Sequence, residues 1–124
     1  MRQLKGDKII LTNFGTATER FLKEQGGLDI DGGGKDISKN LKKLLKGRGR
    51  FVYFHNIGLI STIKNEFKKS NIKILSHSFR KYYHYTVFSR KVPKMIIEKV
   101  RVAIKKLSEN GELARIQRKY TNIQ

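Results

Sequence analysis

At 124 residues with 38% hydrophobic side chains, the chain is one domain with enough apolar content for a core. It has no cysteine, which removes disulfides and thiol chemistry, and no apolar run approaches the roughly 18 residues a membrane helix needs. Its 28 basic and 10 acidic residues give a formal net charge of +18. Such a balance points to nucleic acid, an anionic surface or an anionic ligand, unless it reflects lysine spread over solvated helix faces. The amino terminus, MRQLKGDKII, has no apolar signal core.

Residues 8–12 (KIILT) read as a short apolar strand. Phe14, Gly15 and Thr16 make a turn, and a helix over 17–25 follows, ended by Gly26 and Gly27. Residues 28–30 read as a brief second strand and the glycines at 32–34 as a loop. Asp36 caps a helix over 37–46, whose Ile37, Leu41, Leu44 and Leu45 fall on one face. The Gly47-Arg48-Gly49 run ends it. A central strand over 50–55 (RFVYFH), a helix over 58–68 and a strand over 72–76 come next. Residues 83–88 alternate with period two and read as a further strand, ending at Ser89. Pro93 opens a helix over 94–108 with an apolar face of Ile96, Ile97, Val100, Ala103, Ile104 and Leu107. Gly111 supplies the left-handed residue that breaks it, and a short basic helix runs to Tyr120. Strands alternating with helices predict an α/β fold with a mainly parallel sheet flanked by helices.

Thr16 and Glu19 have capping-box spacing, so the 12–19 stretch is a well-capped helix start. The same geometry is a ready anion site, because free N–H groups stand beside a glycine that permits close approach. Gly15 and Thr16 are the candidate donors, with Thr18 beside them. His55 and Asn56 end the central strand. His55 is either a satisfied histidine or a ligand contact at the carboxyl end of a parallel strand, where such sheets bind. His55, His77 and His84 have no metal-ligand spacing, and Gly32-Gly33-Gly34-Lys35 lacks the full phosphate-loop pattern. With no nucleophile constellation and few acids, the chain reads as non-catalytic, with no metal and no cofactor. Phe79, Tyr82, Tyr83, Tyr85 and Phe88, flanked by Arg80, Lys81, Arg90 and Lys91, have two readings: a core strand with wet flanks, or an aromatic-and-basic nucleic-acid surface.

The tail from Tyr83 to Tyr120, the Gly15-Thr16 turn and the run LLKGRGRFVYFH from Leu44 to His55 together resemble the bacterial family 3 extracellular solute-binding proteins. These are ligand receptors of amino-acid-type ABC transporters. The resemblance spans residues 4–120 and covers only the second half of a family member. It implies a single lobe of a type II periplasmic-binding-protein-like fold, with residues 4–90 as the second lobe and returning hinge strand and 91–124 as carboxyl-terminal helices. The Gly15-Thr16 turn corresponds to the family's carboxylate-receiving turn. Arg50 stands where the family has an aspartate, and His55 or Asn56 where the strand often ends in a second aspartate that meets an ammonium. That departure points away from an ordinary α-amino acid and toward an anionic or neutral solute. The implied partners are an ABC permease or a sensor, and the implied location is the periplasm. A helix face without its first lobe predicts a homodimer, with exchanged strands or helices as one route. The alternatives are a basic module for nucleic acid or another polyanion, and a degenerate fragment with an assembly role.

Overall fold

The computed structural model describes residues 7–122. Residues 4–6 of the expected lobe lie outside the described residues. The chain divides into two compact units, residues 1–73 and 74–124.

The first unit begins with β1 (Ile10–Asn13), and α1 (Ala17–Gln25) follows. Thr16 caps α1, its hydroxyl accepting the Glu19 N–H at 3.3 Å. β2 (Ile30–Gly34) leads to α2 (Ile37–Leu45), capped by the Asp36 carboxylate on the Lys39 N–H at 2.8 Å. β3 (Phe51–Val52) and α3 (Asn56–Glu66) complete the unit. The three strands are parallel in the order β2-β1-β3. Successive strand residues point to opposite faces of a sheet. Leu11 and Thr12 are both at 0% exposure, so both faces of β1 are covered. Among the described residues, Leu22 of α1, Leu41 of α2 and Ile60 of α3 complete the buried apolar set.

Three boundaries differ from the sequence reading for physical reasons. The glycines at 32–34 belong to β2 and do not form a loop. A Cβ on Gly32 would strike the Glu19 carboxylate, and one on Gly34 would strike the Asn40 side chain, so close approach is what this strand uses glycine for. The register runs Ile10 to Ile30 and Leu11 to Asp31, then slips to Asn13 opposite Gly34, an irregularity that admits the extra residue. β3 is shorter than expected because His55 leaves the strand to cap α3, its Nδ1 accepting the Gly58 N–H at 3.0 Å. Helix therefore starts at Asn56, two residues before the expected Gly58.

The second unit contains α4 (Lys94–Glu109) and α5 (Glu112–Thr121). Between them Gly111 takes φ 80°, the left-handed conformation the sequence reading assigned to it. The strands expected over 72–76 and 83–88 do not form: residues 71–89 carry neither helix nor strand. Alternation says which face a strand would bury, but a strand exists only when its backbone groups pair. Without pairing, Tyr83 and Tyr85 stay more than 80% exposed. Among the described residues, no helix is long and apolar enough to cross a membrane.

Candidate functional site at the carboxyl edge of the sheet

In a parallel sheet every strand ends at the same edge. In the order β2-β1-β3 the chain steps from β1 to one side and then returns past it, so a topological switch point lies between β1 and β3. The turns after β1 and β3 therefore adjoin. The Thr12 hydroxyl, which donates to the Tyr53 carbonyl at 3.1 Å, ties them together. Gly15, Thr16 and Thr18 thus share this edge with His55 and Asn56.

Gly15 takes φ +70°, so the turn needs a residue without a Cβ, and no atom stands within 4 Å of where that Cβ would be. Its N–H is not vacant. It donates to Glu19 Oε2 at 2.7 Å, while Glu19 Oε1 meets the Lys23 ammonium at 2.7 Å. The hydrogen bond from Lys23, then the Gly15 N–H and the Lys23 charge, hold the Glu19 carboxyl below the usual range against burial, which pushes the other way. An anion does occupy the helix start, and it is the chain's own carboxylate.

The threonines form a closed network. Each hydroxyl has one proton to give. Thr12 gives its proton to Tyr53 O and Thr16 to Asn13 O at 2.7 Å. That leaves Thr18 as the donor toward Thr16 Oγ1 at 2.6 Å, with Thr12 Oγ1 3.3 Å away on its other side. Thr18 is buried and Thr16 half-buried. Across the switch point His55 and Asn56 are exposed. Accepting at Nδ1 puts the His55 proton on Nε2, and the ring lies 4.2 Å from that of Phe54. A Cβ on Gly58 would meet His55 Cε1 at 2.6 Å, so that glycine seats the imidazole. Arg50 sits before β3, at the opposite edge, 3.8 Å from Asp7 Oδ1.

An open cleft of about 430 Å³ lies beside these turns, lined by Asn13, Lys35, Asp36, Ile37, Ser38, Thr62 and Glu66. Ser38 donates to Glu66 across it at 2.5 Å. Behind it, the Asn40 amide donates to Asn13 Oδ1 at 2.6 Å, and Asn40 itself is fully buried. Sequence reasoning singled out Asp36 as a cap and missed Lys35, Ser38, Thr62 and Glu66 as neighbours. Only the polar residue ending β1 and the cap opening α2 signalled a polar edge.

His77 stands edge-on to Phe79 with ring centroids 4.7 Å apart, in the second unit. Among the described residues, no three His, Cys, Asp or Glu side chains cluster as metal ligands do. Comparison with protein-family models, with curated proteins and with solved structures finds no match to this chain.

Proposed function

We propose that the chain is a non-catalytic recognition domain for a small polar solute, anionic or neutral, taken up at the carboxyl edge of its sheet. On this reading the first unit is one lobe of a type II periplasmic-binding-protein-like fold, serving an ABC importer or a sensor in the periplasm. The supporting observation is the parallel order β2-β1-β3, with the 14–18 and 53–56 turns adjoining at the switch point. The Glu19 carboxylate on the Gly15 N–H mimics the interaction the solute makes. An incoming anionic group takes over that N–H as Glu19 withdraws toward Lys23. Thr16 then meets it once its hydroxyl turns from the Asn13 carbonyl, with the buried Thr18 hydroxyl supporting Thr16 from behind, and His55 and Asn56 face it from the β3 side.

Thermal melting in the presence of amino acids, dicarboxylates and sugar acids tests this. A ligand bound only by the folded chain stabilises it by about 2.7 kcal/mol at a hundredfold excess over its Kd. That corresponds to a rise of about 10 °C for a chain of this size. Gly15→Trp fills the open space above the turn and abolishes the rise. Gly15→Ala, which carries the same backbone strain without the bulk, retains it. No rise from any solute, or a rise indifferent to Gly15→Trp, counts against the site.

A further inference from the structure

The irregular segment before α4 has a chemistry that solute capture leaves unused. Phe79, Tyr83 and Tyr85 are 67%, 82% and 81% exposed. Large aromatic rings carry much of a fold's apolar burial, so two near-adjacent tyrosines this open are available to something other than a core. Around them Arg80, Lys81, Arg90 and Lys91 are all exposed. No acidic residue occurs between Glu66 and Glu98. Among the described residues Lys81, Arg90 and Lys91 take part in no ion pair. Arg80 lies 5.0 Å from the Tyr82 ring centroid, which sets one cation beside the aromatic group.

Aromatic faces that stack bases, set among cations that neutralise phosphates, are the two components of sequence-tolerant single-strand binding. The backbone here favours that occupant over two others. Residues 71–89 offer no helix or β-ribbon to enter a major groove, which duplex readers need. Nor do they form the amphipathic helix with which a peripheral segment enters a lipid interface. We propose that Phe79, Tyr83 and Tyr85, with Lys81, Arg90 and Lys91, form a binding strip for single-stranded nucleic acid. The strip is independent of the solute site.

The test is fluorescence anisotropy of a labelled oligothymidylate of about 15 nucleotides against a duplex of equal length, using the full chain across a salt series. The single strand binds more tightly than the duplex. Tyr83→Ala with Tyr85→Ala lowers its affinity about tenfold or more, while the paired Tyr→Phe changes, which keep the rings, leave it within about twofold. The log–log salt slope is about −2 to −3, and Lys81→Gln with Arg90→Gln makes it shallower by about 1.4, roughly 0.7 for each phosphate that is no longer neutralised. Because the substituted side chains are exposed, the melting temperature serves as the folding control for every variant. Binding unaffected by the alanine pair overturns the proposal in favour of bare charge. Failure to bind the oligothymidylate at about 50 mM salt also overturns it. So does uptake by phosphatidylcholine–phosphatidylglycerol vesicles with the same tyrosine dependence and no oligothymidylate binding, which would assign the strip to a lipid surface.

Discussion

The two units carry the same excess of charge and differ in what they bury. Residues 1–73 hold 16 basic and 7 acidic side chains, and residues 74–124 hold 12 and 3, so each has a formal net charge of +9. The first unit nevertheless closes over Leu11, Leu22, Leu41 and Ile60, while no described residue of the second is buried. Their helices explain the contrast. α2 and α4 are both amphipathic, with apolar side chains recurring at three and four residues. α2 lies against β1 and α3, which takes Leu41 to 1% exposure. On α4 the equivalent face leaves Ile96, Ile104 and Leu107 at 43%, 38% and 39%. Periodicity thus prescribes which side chains a helix offers for burial. A second surface has to complete the burial.

Truncating one leucine in each unit measures this difference and carries the largest expected effect. Leu41→Ala removes a side chain at 1% exposure and costs about 2–5 kcal/mol in urea unfolding. Leu107→Ala, at 39% exposure, costs less than about 1 kcal/mol in dilute solution. If the homodimer implied by the family resemblance forms through the α4 face, the Leu107 cost grows with protein concentration and the Leu41 cost does not. Equal costs at every concentration would mean that the two units do not differ as their burial indicates.

A smaller effect belongs to the polar tie inside the first unit. Asn40 is at 0% exposure, with its Nδ2 on Asn13 Oδ1 at 2.6 Å. Its own Oδ1 is buried without a hydrogen bond, close over Gly34. Asn40→Ala leaves the Asn13 acceptor unsatisfied and costs about 1–3 kcal/mol, reduced to the extent that an unpaired Asn40 oxygen is also removed. Asn40→Asp is worse, because it turns an oxygen toward Asn13 Oδ1. Urea midpoints for the two variants rank them, and an aspartate variant as stable as wild type would break the assignment of the amide.

The parts of this architecture that were legible in the sequence are those set by neighbours along the chain. Thr16, Asp36 and Gly111 mark helix ends by their own chemistry, and the structure puts helix termini at all three. The capping-box spacing of Thr16 and Glu19 likewise announced a carboxylate near the helix start. That Glu19 reaches past Thr16 to the Gly15 N–H depends on the turn's backbone and could not be read from spacing. The glycines of β2 looked like a loop because the side chains that need their small volume, Glu19 and Asn40, come from other elements. The alternation of 83–88 misled for the converse reason: the pattern is local and the pairing it requires is not. Ser38 and Glu66 meet across 28 residues of sequence, so the cleft they line becomes visible only once the sheet has brought α2 and α3 together.

The smallest effect is a pH dependence belonging to the sheet unit. Two of its carboxyls sit below their ordinary range: Glu19 through Lys23 and the Gly15 N–H, and Asp31 through the Lys43 ammonium at 2.8 Å and the Gly33 N–H. Burial opposes the shift in both, so the hydrogen bonds and paired ammonium groups outweigh it. A carboxyl whose folded pKa is depressed contributes stability that is fully present above its unfolded value, about 4.3 for Glu and 3.9 for Asp. That contribution is lost as pH falls through the folded pKa. Urea stability should therefore decline below about pH 5. Glu19→Gln should flatten part of the decline, since its amide oxygen can still accept the Gly15 N–H while the titrating charge is gone. Asp31→Asn should flatten a further part, acting additively because Lys43, not Lys23, is its partner. An acid limb unchanged in the double variant would show that neither carboxyl gains its proton at the expense of the fold, and the Glu19 carboxylate would then be too weakly held to act as an internal substitute for a bound anion.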